Sequence, residues 1–446
     1  MPSALLPGLA ADAWHQADGP GPAAVSWAHG RLGGGAVVVV VWDFAVMGGT
    51  FGERDATAWV DACAAAEAEA VPLVAVTSSG GTRVQEGIPG LAGMARATTA
   101  RERLAAAGGP GIAVVGQPTA GGVWVTVASR ADVRIAVRHA TVGFAGPRVV
   151  EAVTGVHVGE RSHTAESALA AGLVDVVLPA DDVEAAVVRL LDALAPARAA
   201  AVGSAPPPPP SIDDRSPWAA VEAARRPRRW SAGSLLAGLV TDATPLAAPL
   251  GDATALALVG TCEGRGVVGL ALAARQHGNP TPDAYRLLIR AAQLADRWGL
   301  PLVTLVDTPG ADPRPPSEAD GLAAAIGDAF AAVLACRSPT LGLLLGEGGS
   351  GGALAALVCD AVLRTPDSYF AALIPEGAAA ALRVSAEDAA AAMALRPEDL
   401  DPVCDGWITR DDLTTTVSWW LAQLSATDRE ARLSSRTRRW GGPVSK

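Results

Sequence analysis

The sequence predicts an α/β protein made of two tandem domains related by internal duplication. Three observations lead there. Short Val/Leu-rich runs of four to seven residues alternate with glycine-rich turns and Ala-rich stretches of helical period, the pattern of buried strands and their covering helices. The same landmarks recur near 229 residues apart. Between the copies stands AVGSAPPPPPS (201–211), whose five consecutive prolines can join neither a helix nor a central strand and hold an extended spacer. The predicted boundaries are an N-terminal domain over 1–202, a linker over 203–212 and a C-terminal domain over 213–446.

In the first half, the apolar run 36–47 is broken by Asp43 and falls short of the ~20 residues a membrane span needs, so it reads as buried strand. Pro72 opens the strand PLVAV before SSGGTR. The strand GIAVVG leads to Gly121-Gly122 and the stretch 123–129, and Pro147 follows in GFAGPR. In the second half, Pro301 opens PLVTLVD before TPGADPR. TLGLLLG leads to Gly351-Gly352 and an expected helix over 353–362, and Pro375 stands in IPEG. The spacings of these three landmark pairs, 229, 230 and 228 residues, are too long for a solenoid and indicate two copies of one domain.

Composition narrows the function. Half of the 446 residues are apolar and 18% are charged, which supports large cores and excludes whole-chain disorder. A net charge of −11 argues against a protein that coats nucleic acid. The one lysine is Lys446, so neither Schiff-base chemistry nor a Walker A loop has a residue to use in the body of the chain. Five scattered cysteines without a CxxC pair give no disulfide framework or zinc ribbon, and six dispersed histidines give no metal site. The first residues lack the basic region of a signal peptide. A cytoplasmic protein without a membrane partner is expected.

The segment 346–352, GEGGSGG, admits three readings. Gly348-x-Ser350-x-Gly352 fits a nucleophile elbow, but a hydrolase of that type needs its histidine after the serine, and the last histidine is His277. Gly346-x-Gly348-x-x-Gly351 fits a dinucleotide fingerprint, yet the nearest acid at a comparable distance, Asp367, is poorly spaced and the motif does not open a domain. The third reading uses only backbone: glycines present successive N–H groups, and the following helix adds its positive dipole end, which suits an anion on a carbonyl oxygen. Gly121-Gly122 has the same features. For either turn alone, glycines that merely allow close packing of strand and helix are the better account; their matched recurrence favours two oxyanion holes.

The longer motifs carry a resemblance. SSGGTRVQEG (78–87), PTAGGV (118–123), GFAGPRVVE (143–151) and MGGTFG (47–52) resemble the beta subunit of bacterial acetyl-CoA carboxylase carboxyltransferase. GNPTPDAYR (278–286), VDTPGADP (306–313), GEGGSGGALA (346–355), IPEGAA (374–379) and the stretch 216–229 resemble the alpha subunit. The resemblance implies two crotonase-like ββα-spiral domains. It implies an enzyme that moves a carboxyl group from carboxybiotin to the α-carbon of a short acyl-CoA, most simply acetyl-CoA to malonyl-CoA. Carried over by motif, Gly121 and Gly122 hold the thioester oxygen; Gly352 and Ala353 hold the ureido oxygen of biotin, with Gly351 shaping the turn. Gly80, Gly81, Arg83, Gly143, Phe144, Pro147 and Arg148 in the first half, and Gly348, Gly349, Pro375, Glu376 and Gly377 in the second, are the expected ligand-binding residues. With no lysine beside a methionine, biotin must arrive on a separate biotin carboxyl carrier protein charged by a biotin carboxylase.

The family also implies a homo-oligomer, at least a dimer and up to a hexamer, because the two holes face each other across a subunit contact. The beta subunit's zinc ribbon is absent here. Family lysines near the CoA phosphates have no lysine counterpart; Arg83, Arg148, Arg225, Arg226, Arg228 and Arg229 are the candidates in their place. Asp312 stands where the family usually has an aromatic residue. Glu86 and Glu347 are expected to anchor turns as acceptors; Trp42 and Trp124, beside the glycine turns, are placed to line an acyl or biotin pocket, but core packing is the expected role. Two rival readings are a biotin-independent decarboxylase of a malonyl-type thioester and an idle scaffold within a carboxylase complex.

Overall fold

The computed structural model describes residues 4–159, 162–195, 205, 215–227, 230–248, 251–273, 278–396, 400 and 403–442. The proline run, Arg228, Arg229, His277 and Lys446 lie outside the described residues. The chain divides into two compact units, Met1–Ala195 and Pro196–Lys446.

The first unit is built on β1 (Ala10–Ala11), β2 (Val25–Leu32), β3 (Gly35–Trp42), β4 (Leu73–Ser79), β5 (Gly111–Ala120), β6 (Val133–Val137), β7 (Val142–Gly143) and β8 (Val176–Leu178). Their order in the sheet is β1-β2-β3-β4-β5-β6-β8, with β7 paired to β5. Strands β2 and β3 form an antiparallel hairpin, and every pairing beyond β3 is parallel. The hairpin closes through Gly33 and Gly34, both at positive φ, as a two-residue turn matched to strand twist requires. Val37 to Val41 are buried because helices cover the parallel sheet. The expected strand over 36–47 therefore exists but ends at Trp42.

The second unit repeats this plan with β9 (Thr241–Leu246), β10 (Ala255–Cys262), β11 (Arg265–Ala273), β12 (Leu302–Thr308), β13 (Thr340–Gly349), β14 (Ala361–Arg364), β15 (Tyr369–Ala371) and β16 (Gly406–Trp407). Its order is β16-β14-β13-β12-β11-β10-β9, with β15 paired to β13. The duplication extends to register. Strands β4 and β12 are both seven residues long, β5 and β13 both ten, and each pair starts 229 residues apart. Each β5-like strand slips against its neighbour at the same place, so that Ser79 meets Thr119 and Thr308 meets Gly348. The 17-residue helices Glu53–Glu69 and Pro282–Trp298 are matched in the same way. One expectation fails: the helix expected over 353–362 is instead Ser350–Leu354, since residues 361–364 are taken by β14, which lies between β13 and β16.

In an open parallel sheet the strand-helix turns at the carboxyl edge are where ligands meet backbone. Both glycine turns lie on that edge of their own unit, directly after β5 and β13.

Candidate active site: two glycine turns

In the first unit the chain leaves β5 at Ala120 and enters a helical turn, Gly121–Val123, that runs on into a π-helical turn, Trp124–Ala128. Gly121 has φ +59°, a left-handed conformation that costs an L-residue roughly 1–2 kcal/mol. The loop after β4 presses against it: a Cβ on Gly121 would lie 2.8 Å from the Cα of Gly81 and 3.6 Å from the amide nitrogen of Thr82. Gly81 is at φ +117° and donates its N–H to the Ser79 hydroxyl at 3.0 Å. Gly80 donates to the Gly48 carbonyl at 2.9 Å. Gly80 thus ties the loop after β4 to Gly48, Gly81 lets that loop lie against Gly121, and Gly121 and Gly122 open the helix whose first N–H groups have no ladder partner.

The second unit makes the same turn. Ser350, the first helical residue after β13, has φ +62°, nearly the angle of Gly121. The backbone therefore aligns Gly121 with Ser350, and the two glycine pairs are displaced by one position. The loop after β12 is again close: Gly310 is at φ +138°, and a Cβ on Gly352 would lie 2.9 Å from the amide nitrogen of Ala311. Thr82 and Ala311 are equivalent positions, and their amides were missed by sequence reasoning; the matched offset of the two loops was the signal that could have found them.

This register corrects one assignment. The helix starts at Ser350, so the amides free of the helical ladder are those of Ser350, Gly351 and Gly352. Ala353 is the fourth helical residue, where the ladder begins, and it is fully buried. It is not the donor expected of it. Gly348 and Gly349 are also buried in β13: a Cβ on Gly348 would lie 2.4 Å from the Phe370 ring, and one on Gly349 would lie 1.7 Å from the Pro309 carbonyl oxygen. They admit close neighbours rather than a ligand.

Around the first turn, β7 pairs Gly143 with Ala120, which brings GFAGPR beside Gly121. Phe144 is three-quarters exposed, Pro147 starts the helix Pro147–Thr154, and Arg148 on that helix is exposed. Arg83 is a second correction. Its side chain is 2% exposed and gives its donors to Asp55 at 2.6 Å, Glu86 at 2.9 Å and the carbonyls of Thr50 and Pro22. Asp55 also accepts from the N–H groups of Ala24, Val25 and Gly52. Removing one partner of such a buried pair is costly; Arg83 is a structural cation with nothing left for phosphate. Glu86 anchors its turn as expected, accepting from the Glu53 N–H at 2.6 Å.

In the second unit, β15 pairs Ala371 with Gly349, and the helix Pro375–Leu382 follows with Pro375, Glu376 and Gly377 in its first turn. Arg225 ties this helix to β13, donating to Glu347 at 2.7 Å and to Glu376 at 3.0 Å. Glu376 is held below the usual carboxylate range by that guanidinium. Glu347, 7% exposed, also accepts from the Tyr369 hydroxyl at 2.7 Å. It does act as an acceptor, though from side chains. Arg225 is therefore not free for phosphate either.

Asp312, buried, accepts from Arg314 at 2.7 Å and from the Ser317 hydroxyl at 2.6 Å, and the Arg314 guanidinium holds its carboxyl down at about 2. It closes its own loop, which accounts for a carboxylate there. Trp42 and Trp124 are buried in separate core clusters.

The four buried cysteines offer no reactive thiolate. Burial pushes the thiols of Cys63, Cys262 and Cys359 up to about 12 and that of Cys336 to about 11, far above the range of a reactive thiolate. What the turns can do is hold negative oxygen with oriented amides. The segments flanking the first turn expose Phe44, Met47, Val84, Ile88, Phe144 and Val153.

Comparisons with known proteins agree in kind. The family model described as acetyl co-enzyme A carboxylase carboxyltransferase-like matches residues 212–404. A protein of Salinispora tropica, named acetyl-coenzyme A carboxylase carboxyl transferase subunits beta/alpha, is 37% identical over 394 residues, 83% of this chain and 70% of that protein. A Mycobacterium bovis protein named a probable biotin-dependent acyl-coenzyme A carboxylase beta3 subunit is 33% identical, covering 84% of this chain and 77% of its own. Among solved structures, the hexameric transcarboxylase 12S core with methylmalonyl-coenzyme A bound superposes with a TM-score of 0.77 at 25% identity, over 91% of this chain and 82% of that one.

Proposed function

Because the chain belongs to the acetyl-CoA carboxylase carboxyltransferase family, an enzyme family that is biotin-dependent and acts on CoA thioesters, we propose that its two glycine turns divide one carboxyl transfer between them. The observation that carries this is the duplicated backbone state: Gly121 at φ +59° and Ser350 at +62°, each following a ten-residue parallel strand, with the Thr82 amide close to Gly121 and the Ala311 amide close to Gly352.

The Gly121-Gly122 turn, with Thr82 beside it, receives the thioester oxygen. Loss of an α-proton puts negative charge on that oxygen, and amides already pointed at it lower the barrier without reorganising. The Ser350-Gly351-Gly352 turn receives the ureido oxygen of biotin; an oxygen that gathers negative charge fits a site of free amides at a helix N-terminus. Biotin, when bound in its carboxylated form, supplies the carboxyl group and a ureido nitrogen that takes the α-proton. The chain's part is to orient, to hold charge and to exclude water, so the lack of a histidine or lysine base is no defect.

The acyl group is short, acetyl in the first instance. Arg148, exposed beside the first turn, is the cation in position for the CoA phosphates. The biotin comes on a separate carrier protein served by a biotin carboxylase. A second copy of the chain covers the exposed apolar side chains flanking the first turn, giving at least a dimer. No helix among the described residues is long and apolar enough to cross a membrane, and the cytoplasm is the proposed location.

The test is the reverse half-reaction. Purified protein incubated with malonyl-CoA is expected to release CO₂ only when free biotin is added, because the carboxyl group needs an acceptor. Release at the same rate without biotin would replace this reading with a biotin-independent decarboxylase, and inertness in both conditions, with a charged carrier and an acyl-CoA panel also silent, would leave a scaffold.

A further inference from the structure

Tyr285 lies on the helix Pro282–Trp298 with its ring fully buried, and its hydroxyl has no hydrogen-bond partner. Leaving a buried hydroxyl unpaired is unfavourable, and native proteins rarely do it without a use. The hydroxyl stands directly beneath the second glycine turn: a Cβ on Gly352 would meet it at 2.4 Å and the Ala311 amide nitrogen at 2.9 Å. Glycine at 352 therefore lets the hydroxyl and the Ala311 amide come close against the backbone of the turn, where any larger residue would collide with both.

The first unit shows that the fold does not need this arrangement. At the positions equivalent to Tyr285 and Gly352 it has Ala56 and Val123, both fully buried in one apolar cluster. Small residue on the helix and larger residue on the turn are exchanged between the units, and volume is filled either way. The first unit has a hydroxyl at its own turn, that of Thr82, 2.5 Å from a Cβ on Gly122, but Thr82 donates to Met94 Sδ at 3.5 Å, whereas the Tyr285 hydroxyl has no partner, so packing explains an aromatic ring at 285 but not its oxygen. Burial with no compensating partner pushes the phenol up from its ordinary value, so it stays a donor.

We infer that the Tyr285 hydroxyl, brought close to the turn because residue 352 has no side chain, is a further hydrogen-bond donor of the second turn to the ligand oxygen that the turn amides hold. The inference rests on the reading of this turn as the biotin site. It assigns the second turn a phenol donor where the first turn has the Thr82 hydroxyl, already engaged with Met94, which matches two oxygens of different chemistry.

The chain has two tyrosines, Tyr285 and Tyr369, so uniform 3-fluorotyrosine labelling of the full chain gives two fluorine resonances, assigned with Tyr285→Phe. Titration with free biotin, followed in parallel by calorimetry, is expected to move the Tyr285 resonance well beyond that of Tyr369. Tyr285→Phe, which keeps the ring, is expected to weaken biotin binding about tenfold with the KM for acyl-CoA unchanged. Biotin that binds by calorimetry while the Tyr285 resonance stays still, or binds Tyr285→Phe as tightly as the parent, overturns the inference and leaves the biotin site standing. Failure of the parent protein to bind biotin at all overturns both.

Discussion

Gly351→Pro is expected to lower turnover by ~10²-fold or more while Gly351→Ala stays near the parent rate, the size of effect seen when one oxyanion donor is removed. Gly351 is the second residue of the helix Ser350–Leu354, where no ladder hydrogen bond is lost and proline's fixed φ is tolerated. Space is not the obstacle, because the nearest neighbour of an added Cβ is the Phe330 ring at 3.8 Å. Alanine thus reports the cost of bulk, and proline the cost of the missing N–H together with the shift it imposes on Ser350, whose left-handed angle a following proline disfavours. Proline at Ala353 would not serve, since that residue lies where the ladder has begun and the substitution would break the turn itself. The measurement is kcat with a carboxylated carrier, together with melting temperatures that show both variants folded. Equal rates for proline and alanine would remove the second turn from the chemistry.

Gly121→Ala is expected to cost ~10²-fold in kcat/KM for acyl-CoA, because misplacing a reacting group by about an ångström is enough for that loss. A methyl group there would sit 2.8 Å from the Cα of Gly81, so the two loops must separate, and the left-handed backbone would carry an added strain of roughly 1–2 kcal/mol. The corresponding residue of the other unit is already a serine, so the angle alone is survivable; the contact with Gly81 is what makes glycine necessary at 121. Steady-state kinetics over a range of acyl-CoA, with biotin held saturating, measures the effect. A near-normal kcat/KM would mean that the spacing of these loops does not set the thioester site.

The architecture was legible because its signals are local and repeated. PLVAV and PLVTLVD begin strands of equal length, GIAVVG and TLGLLLG begin the next pair, and the prolines at 147 and 375 both open eight-residue helices. Strand boundaries and turn types follow from residues a few positions apart. What the sequence withheld depends on where distant segments meet. Arg83 looks like a phosphate ligand in SSGGTR, but Asp55, 28 residues earlier, captures it. Arg225 sits in an arginine run yet is claimed by Glu347 and Glu376 from elements more than 120 residues away. Counting glycines paired Gly121 with Gly351, whereas backbone angles pair it with Ser350, and one step of register moved the free amides off Ala353. Tyr285 carried no signal in its own motif; only its closeness to Gly352 gives its hydroxyl a meaning.

The division of labour between the turns is tested most directly by amide hydrogen exchange of the parent protein, read at the level of single residues. The account predicts that acyl-CoA slows exchange at Gly121 and Gly122 and leaves Ser350, Gly351 and Gly352 unchanged, and that free biotin does the reverse. Protection of one and the same turn by both ligands, or of neither turn by either ligand at saturation, would contradict it.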